Sequence, residues 1–455
     1  MRPVLSAAGG AEELGLLTDL YELTMAQSYL QHGMSAPATF SLFIRTYPAN
    51  RSYFVSAGIE DVLNYLEEWH LPEESIDYLH STRIFSPSFL DYLSSLRFTG
   101  DVWAIPEGRL FFADEPVLEV TGPVIEAQIV ETFIINQINI QSLIATKAAR
   151  CVWAAKGKSL ADFSLRRTHG TDAGMKAARA SYIAGFQSTS NVLAGKIYGI
   201  PLSGTMAHSY VSSHEPEIDA FRNFVRSFPE RSILLIDTYD TIAGARNAAE
   251  VGKEMEALGQ RLQGVRLDSG DFDRLSRQVR VILDRAGLHY TRIVASGGLD
   301  ESDIYDLVSG GAPIDVFGVG TKMGVSADAP WSDMAYKLVK YDGRPVFKLS
   351  TGKSSLPGEK QVFRLRDDKG DFSRDIITLR DEHVEGGEPL LCKVMERGKA
   401  IRPLPLLDEM RERFKEDFSH LDDRFKALQG PHEYEVALSP RVKELYDQLT
   451  VEVQG

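Results

Sequence analysis

The sequence predicts an α/β fold, a (β/α) barrel joined to an additional α+β domain. Three observations carry this. Between residues 160 and 321, short apolar runs rich in β-branched residues alternate with longer stretches of helical periodicity. Nearly every run ends on Gly, Asp, Arg or His. Residues 1–125 have a different texture, in which amphipathic helices and alternating strands are mixed.

The apolar runs are Leu160–Ser164, Ile200–Ala207, Ser232–Asp237, Gly264–Leu267, Arg292–Ala295 and Ile314–Val319. Helical patterns fill Asp172–Tyr198, Tyr210–Phe228, Thr241–Gln260, Phe272–Gly287 and Glu301–Ser309. In the fourth, Leu275, Val279, Ile282 and Leu283 share one face and Gly287 closes the helix. Successive β–α units imply parallel strands with right-handed crossovers. An open doubly wound sheet would gather ligands at one switch point. Reactive side chains at strand after strand favour a barrel, whose active site lies on the C-terminal face.

The first domain, residues 1–125, reads as a helix Thr18–Leu30, a strand Ala38–Arg45, an amphipathic helix Gly58–Trp69 and short strands Arg97–Ala104 and Val117–Val120. Strands from about 335–400, read at Ala335–Val339, Val346–Leu349 and Val362–Leu365, complete it. Residues 126–334 form the barrel and 401–455 a charged helical tail.

Composition narrows the function. Of 455 residues, 43% are hydrophobic and 25% charged, as in an ordinary globular protein. The net charge of -14 argues against nonspecific nucleic-acid binding, though not against a local basic pocket. Two cysteines, Cys151 and Cys392, suit a reducing cytoplasm. The N-terminus shows no signal peptide. The most apolar stretch, Val124–Ala145, carries Glu126, Gln128, Glu131, Asn136, Gln137 and Asn139 among its polar side chains and reads as buried protein rather than a membrane span. A soluble cytoplasmic protein is expected.

Four clusters carry chemistry. Ser296-Gly297-Gly298 and Gly318-Val319-Gly320-Thr321 follow β-branched runs, where glycines let backbone N–H groups approach an anion. Each alone could be a tight turn; paired on neighbouring late strands, they suit a phosphate site. Arg266 can stack on a flat ring or fork onto an anion, Asp268 can hold ribose hydroxyls or hydrated Mg2+, and Asp271 reads as a helix N-cap. Arg166 and Arg167 fit a carboxylate or phosphate clamp, or a surface salt-bridge pair. His208, one of ten histidines, gains weight from its strand end and from Asp237, which could orient its ring. These features fit a phosphoribosyltransferase, a sugar-phosphate aldolase or an isomerase; Lys322 is marginally placed for a Schiff base.

The same residues resemble the nicotinate phosphoribosyltransferase family. The resemblance rests on Leu16-Leu-Thr-Asp-Leu-Tyr21, Asp162-Phe-Ser-Leu-Arg-Arg167, Ser190-Asn-Val-Leu-Ala-Gly195, Gly204-Thr-Met-Ala-His208-Ser209, Arg266-Leu-Asp-Ser-Gly-Asp271 and Gly318-Val-Gly-Thr321. The motifs stand in the right order and the similarity runs from about Leu16 to Arg364; the last ninety or so residues add no motif, and Thr168-His169 departs from the expected form. It implies an irregular barrel of the type II phosphoribosyltransferases with an α+β domain, and a homodimer with active sites at the subunit interface. It implies an ATP-coupled, ligase-type reaction with Mg2+, in which nicotinate and 5-phosphoribosyl 1-diphosphate give nicotinate mononucleotide and diphosphate in NAD salvage.

By the same resemblance His208 is the histidine phosphorylated by ATP, with Asp237 as its partner. Phe163 and Tyr21 sandwich the pyridine ring, Tyr21 from the other subunit. Thr205, Arg166 and Arg266 line the substrate pocket, Asp268 contacts the ribose, and Gly297, Gly298, Gly318, Gly320 and Thr321 cradle the 5-phosphate. The nicotinamide-specific relative carries an aspartate where Ser190 stands, and that aspartate would repel a carboxylate. Ser190 therefore favours nicotinate. A quinolinate enzyme fits less well, since it lacks the ATP step and needs more cations. The alternatives are the nicotinamide enzyme and an inactive barrel serving as a binding protein.

Overall fold

The computed structural model describes residues 11–350 and 353–454. The chain divides into two units, one running to Thr146 and resuming at Ala329, the other Lys147–Asp328.

The second unit is built on a six-stranded parallel sheet. Its strands lie in the order Ser188–Thr189, Ser159–Asp162, Val316–Val319, Arg292–Ser296, Gly264–Leu267 and Ile233–Leu235. Strands consecutive in sequence are neighbours except Ser188–Thr189 and Ile233–Leu235, which stand at the two edges, and the last strand pairs with the first through Val316↔Ser159 to Val319↔Asp162. A parallel bridge, Thr189↔Leu202, adds one further step. This is the strand order of a barrel; among the described residues no ladder joins Leu202 to Ile233–Leu235, so one seam is open. The expected α/β class and parallel sheet are present.

Helices return the chain between strands. Thr241–Ala257, Phe272–Arg285 and Glu301–Ser309 follow the expected spans, with Asp240, Asp271 and Asp300 accepting backbone N–H bonds at their starts. Leu275, Val279 and Leu283 are buried, as the periodicity of that segment requires.

Three spans differ from expectation. Asp172–Tyr198 is not one helix. Thr171–Ile183 stops at a turn through Gly185 (φ 108°), the strand Ser188–Thr189 follows, and Val192–Tyr198 begins on the Asn191 cap. Tyr210–Phe228 is likewise split into His208–Ser212 and Glu217–Ser227, with Pro216 at the cap of the second. Ile200–Ala207 forms no strand. Pro201 has no N–H, and only the residue-202 bridge and the bonds of Thr189 to Pro201 and Ser203 remain.

The first unit centres on a seven-stranded sheet in which Pro37–Ile44 pairs antiparallel with Met334–Tyr341 on one side and Leu118–Pro123 on the other. Asp101–Ala104 and Cys392–Glu396 extend it. Buried side chains of the helices Val124–Ile129 and Glu131–Ala155, among them Ile134 and Ile138, share one core with Leu42 and Val120. That packing places residues 126–146 in this unit rather than with the parallel sheet. Val346–Leu349 is not a strand; the segment after the Gly343 turn pairs only at Arg344–Pro345.

A second sheet contains Lys360–Arg366, Phe372–Leu379 and, parallel to the latter, Val436–Leu438. The segment 401–455 is thus more than a charged tail. Asp417, on the helix Leu407–His420, is buried and accepts from Arg109 (2.9 Å) and Arg364 (3.3 Å). No helix among the described residues is long and apolar enough to cross a membrane.

One buried carboxyl in this unit gives a pH prediction. Glu22 accepts hydrogen bonds from Thr18 Oγ1, Thr132 Oγ1 (2.7 Å) and Thr132 N (3.2 Å). Burial raises it to about 7, against the pull of those donors. A carboxyl raised on folding stabilises fully below its unfolded value and loses that contribution as pH rises through its folded one. Glu22→Gln should therefore raise Tm over wild type at pH 8 more than at pH 5; equal shifts at both would contradict the reading.

Candidate active site

The expected residues of the second unit gather at the C-terminal ends of the parallel strands. The strand Ser159–Asp162 ends on a buried aspartate. Asp162 accepts from Ser164 N (2.8 Å) and Thr189 Oγ1 (2.7 Å), and burial raises its carboxyl above the usual range. This fixes the turn that carries Phe163 and the 3-10 segment Leu165–Arg167. Arg166 and Arg167 are exposed, and neither makes an ion pair among the described residues. Ser190 is tied to the same turn, its N–H donating to the Asp162 carbonyl (2.8 Å).

Phe163 explains two glycines. A Cβ on Gly318 would come within 2.5 Å of the Phe163 ring, and one on Gly320 within 2.7 Å of its carbonyl oxygen. Their absence lets the aromatic residue lie across the strand end. Gly297 (φ 104°) and Gly298 (φ 73°) instead occupy left-handed backbone, and a Cβ on Gly297 would overlap the Asp268 carbonyl.

His208 stands at the start of the short helix His208–Ser212, not at a strand end, and its side chain is 45% exposed. Its Nδ1 lies 3.2 Å from Thr238 Oγ1 and its Nε2 3.8 Å from Asp268 Oδ2. The expected pairing with Asp237 is not what the geometry gives. Asp237 accepts instead from Asp268 N (3.0 Å) and Ser269 Oγ (2.6 Å), and its Oδ1 is buried without a hydrogen-bond partner among the described residues. Thr238 and Asp268 flank the ring in its place.

Asp268 connects the cluster. Its Oδ1 accepts from Ser296 Oγ and lies 3.9 Å from Arg266 Nε. Arg266 donates from Nη1 to Thr205 Oγ1 and leaves its buried Nε without a hydrogen-bond partner among the described residues. Burial pulls this guanidinium below its ordinary pKa; Asp268 and Asp237 oppose that and Arg166 adds to it. A buried cation with an open donor, beside a histidine and an aspartate, suits an anionic substrate.

Gly297 and Gly298 line a cavity of about 430 Å³ with Gly270, Asp271 and Lys322. Thr321 opens the helical turn after the last strand. Tyr21 belongs to the first unit, on the helix Leu20–Gln31, and is 46% exposed. Burial, then Glu131, Glu22 and Asp19, raise its phenol beyond the ordinary range, so it is a neutral ring.

Three family models match the chain: the nicotinate phosphoribosyltransferase N-terminal domain over residues 16–139, the family itself over 158–353, and the C-terminal domain over 386–446. The chain belongs to the nicotinate phosphoribosyltransferase family. It is 47% identical over 431 residues to nicotinate phosphoribosyltransferase pncB2 of Mycobacterium tuberculosis, covering 94% of this chain and 92% of that protein. Against the nicotinate phosphoribosyltransferase of Bacillus subtilis the identity is 37% over 461 residues, covering 94% and 93%. The crystal structure of human nicotinic acid phosphoribosyltransferase superposes with a TM-score of 0.86 at 30% identity, covering 95% of this chain and 99% of that one.

Family membership agrees with the resemblance read from the sequence. The C-terminal family domain covers a segment in which no motif was legible. No role was anticipated for the hydroxyls of Thr238, Ser269 and Ser296, although the last two stand inside quoted motifs; a single hydroxyl carries no spacing pattern that would mark it.

Proposed function

We propose that this protein is a nicotinate phosphoribosyltransferase that transfers phosphoribosyl from 5-phosphoribosyl 1-diphosphate to nicotinate and couples the transfer to ATP through a phosphohistidine. The observation that carries this reading is that Asp268 lies between His208 and Arg266, and Arg266 reaches Thr205, so the four form one cluster in a chain of this family.

The ring contacts of His208 favour one tautomer. A carboxylate can only accept, so Asp268 favours the proton on Nε2, while the Thr238 hydroxyl can rotate to donate to Nδ1. The Nδ1 lone pair then attacks the γ-phosphorus of ATP, and ADP leaves with the electrons of the broken P–O bond. Water later cleaves the P–N bond and restores the histidine with release of orthophosphate. In the transfer itself, the pyridine nitrogen attacks the anomeric carbon as diphosphate departs. Asp268 would face positive charge growing on the sugar, and Arg266 the negative charge on the leaving group.

Mg2+ would neutralise the diphosphate, and the unpartnered Asp237 Oδ1 and Asp268 are the oxygens this site offers it. No group of three or more His, Cys, Asp or Glu side chains in a metal-holding arrangement occurs among the described residues. Water and diphosphate oxygens would therefore supply most of the coordination. Phe163 would stack on the pyridine ring with Tyr21 from a second copy, in a cytoplasmic homodimer with shared sites. Backbone N–H groups of Gly297, Gly298, Gly318, Gly320 and Thr321 would hold the 5-phosphate.

Base choice rests on Ser190 with Arg166 and Arg167, which make no ion pair among the described residues. A hydroxyl there can donate to a carboxylate, whereas an aspartate would repel it. Given equimolar nicotinate and nicotinamide, the protein should convert nicotinate. Ser190→Asp should raise the KM for nicotinate at least about tenfold, roughly 1.4 kcal/mol. Preference for nicotinamide in the wild type would overturn the substrate assignment.

A further inference from the structure

Lys322 has no role in the reaction as described above. It follows Thr321 directly and lines the cavity of about 430 Å³ that Gly297 and Gly298 also border. The other charged residues bordering that cavity, Asp271, Asp273, Asp303 and Asp306, are all carboxylates. A phosphate dianion entering there meets a field that opposes it, except at Lys322.

The lysine is held in a defined direction. Its Nζ donates to Asp300 Oδ2 at 2.7 Å and to Asp303 Oδ2 at 3.2 Å. Both carboxylates are themselves fixed. Asp300 caps the helix Glu301–Ser309 by accepting from Ser302 N (2.9 Å) and Asp303 N (3.2 Å), and Asp303 accepts from Asp300 N (2.9 Å). An ammonium has three N–H donors. Two are committed to the aspartates, and the third has no protein partner among the described residues. The Asp300 hydrogen bond, ahead of the other contacts, raises the Lys322 pKa and keeps the group charged.

We propose that Lys322 is a substrate-binding residue whose third N–H contacts the 5-phosphate of the phosphoribosyl substrate, aimed there by Asp300 and Asp303. The proposal rests on the activity assigned above. It adds a side-chain cation to a subsite otherwise made of backbone N–H groups. The aspartates thereby have two tasks, capping a helix and positioning a cation, and the ion pairs need not break for phosphate to bind.

The test compares Lys322→Gln and Lys322→Arg with wild type. Loss of one charge-assisted hydrogen bond predicts a KM for 5-phosphoribosyl 1-diphosphate raised about 10–100-fold in Lys322→Gln, with kcat and the nicotinate KM little changed. Lys322→Arg should recover most of the loss. An unchanged KM for the diphosphate substrate overturns the proposal. So does an equal rise in both KM values, the signature of a lysine that merely ties the Thr321 turn to the neighbouring helix.

Calorimetric titration with inorganic phosphate gives an answer independent of turnover. Weaker binding by Lys322→Gln than by wild type supports the contact. Equal binding, or none to wild type, overturns it. Should wild type make no nicotinate mononucleotide, the assigned activity fails, and the phosphate titration still decides the role of Lys322.

Discussion

His208→Ala should abolish acid-labile phosphorylation by ATP and remove ATP stimulation, leaving only slow phosphoribosyl transfer. A phosphorus–nitrogen bond on imidazole is labile in acid, whereas phosphate esters of serine or threonine survive it. The label therefore reports the residue type directly. In this structure His208 is half-exposed, and its Nδ1 lies 3.2 Å from the rotatable Thr238 hydroxyl. Arg266, Asp268, Thr205 and the glycine loops remain in the alanine variant, so binding and part of the transition-state stabilisation persist. Mixing the variant with γ-labelled ATP and resolving the products in acid and base gives the readout. Acid-labile phosphate retained at wild-type level would contradict the role assigned to His208.

The second large effect is expected at Gly297. Alanine there must adopt φ 104°, and its Cβ would overlap the Asp268 carbonyl oxygen, a backbone atom that cannot swing aside. Strain and displacement together predict a loss of about 3 kcal/mol or more. The cost falls on function as well, because Asp268 is the residue that links Arg266, Ser296 and His208. At Gly298 φ is 73° and nothing lies within 4 Å of a built Cβ. Gly298→Ala should therefore cost only about 1–2 kcal/mol. Thermal unfolding of the two variants, with the KM for 5-phosphoribosyl 1-diphosphate in each, checks the difference. Equal losses would show that the overlap with Asp268 is not what Gly297 avoids.

Much of the site was legible because a barrel-type sheet brings successive strand ends to one face. Arg266, Asp268, Gly297 and Gly298 could be found from their place after apolar runs, without knowledge of their contacts. Local detail was less accessible. Asp237 and Thr238 are adjacent and both lie past the strand Ile233–Leu235, the second in a bend, so strand alternation does not say which of them faces the histidine. Sequence alone favoured the carboxylate as the partner of His208, while the fold presents the hydroxyl. Gly318 and Gly320 illustrate a second limit. They were read as backbone donors for phosphate, but each also makes room for Phe163, a constraint set by packing rather than by pattern.

The first unit was harder to read for a different reason. Its main sheet pairs residues 37–44 with 334–341, nearly three hundred positions away, and Cys392–Glu396 with Asp101–Ala104. Such pairings leave no local signal of partner or register. The individual strands Pro37–Ile44 and Leu118–Pro123 were visible as short alternating or apolar runs. Phe372–Leu379 was missed because its half-polar sequence resembles an exposed turn until the partner strands are in place, and Val436–Leu438 because three apolar residues are too short to show a period.

The reaction with and without ATP tests the whole account most directly. The protein is mixed with nicotinate, 5-phosphoribosyl 1-diphosphate and Mg2+, and nicotinate mononucleotide is followed to its plateau. The account predicts that ATP raises both the rate and the final yield, with ADP and orthophosphate released alongside diphosphate. Formation of nicotinate mononucleotide at the same rate and to the same plateau without ATP would contradict the phosphohistidine coupling at its core.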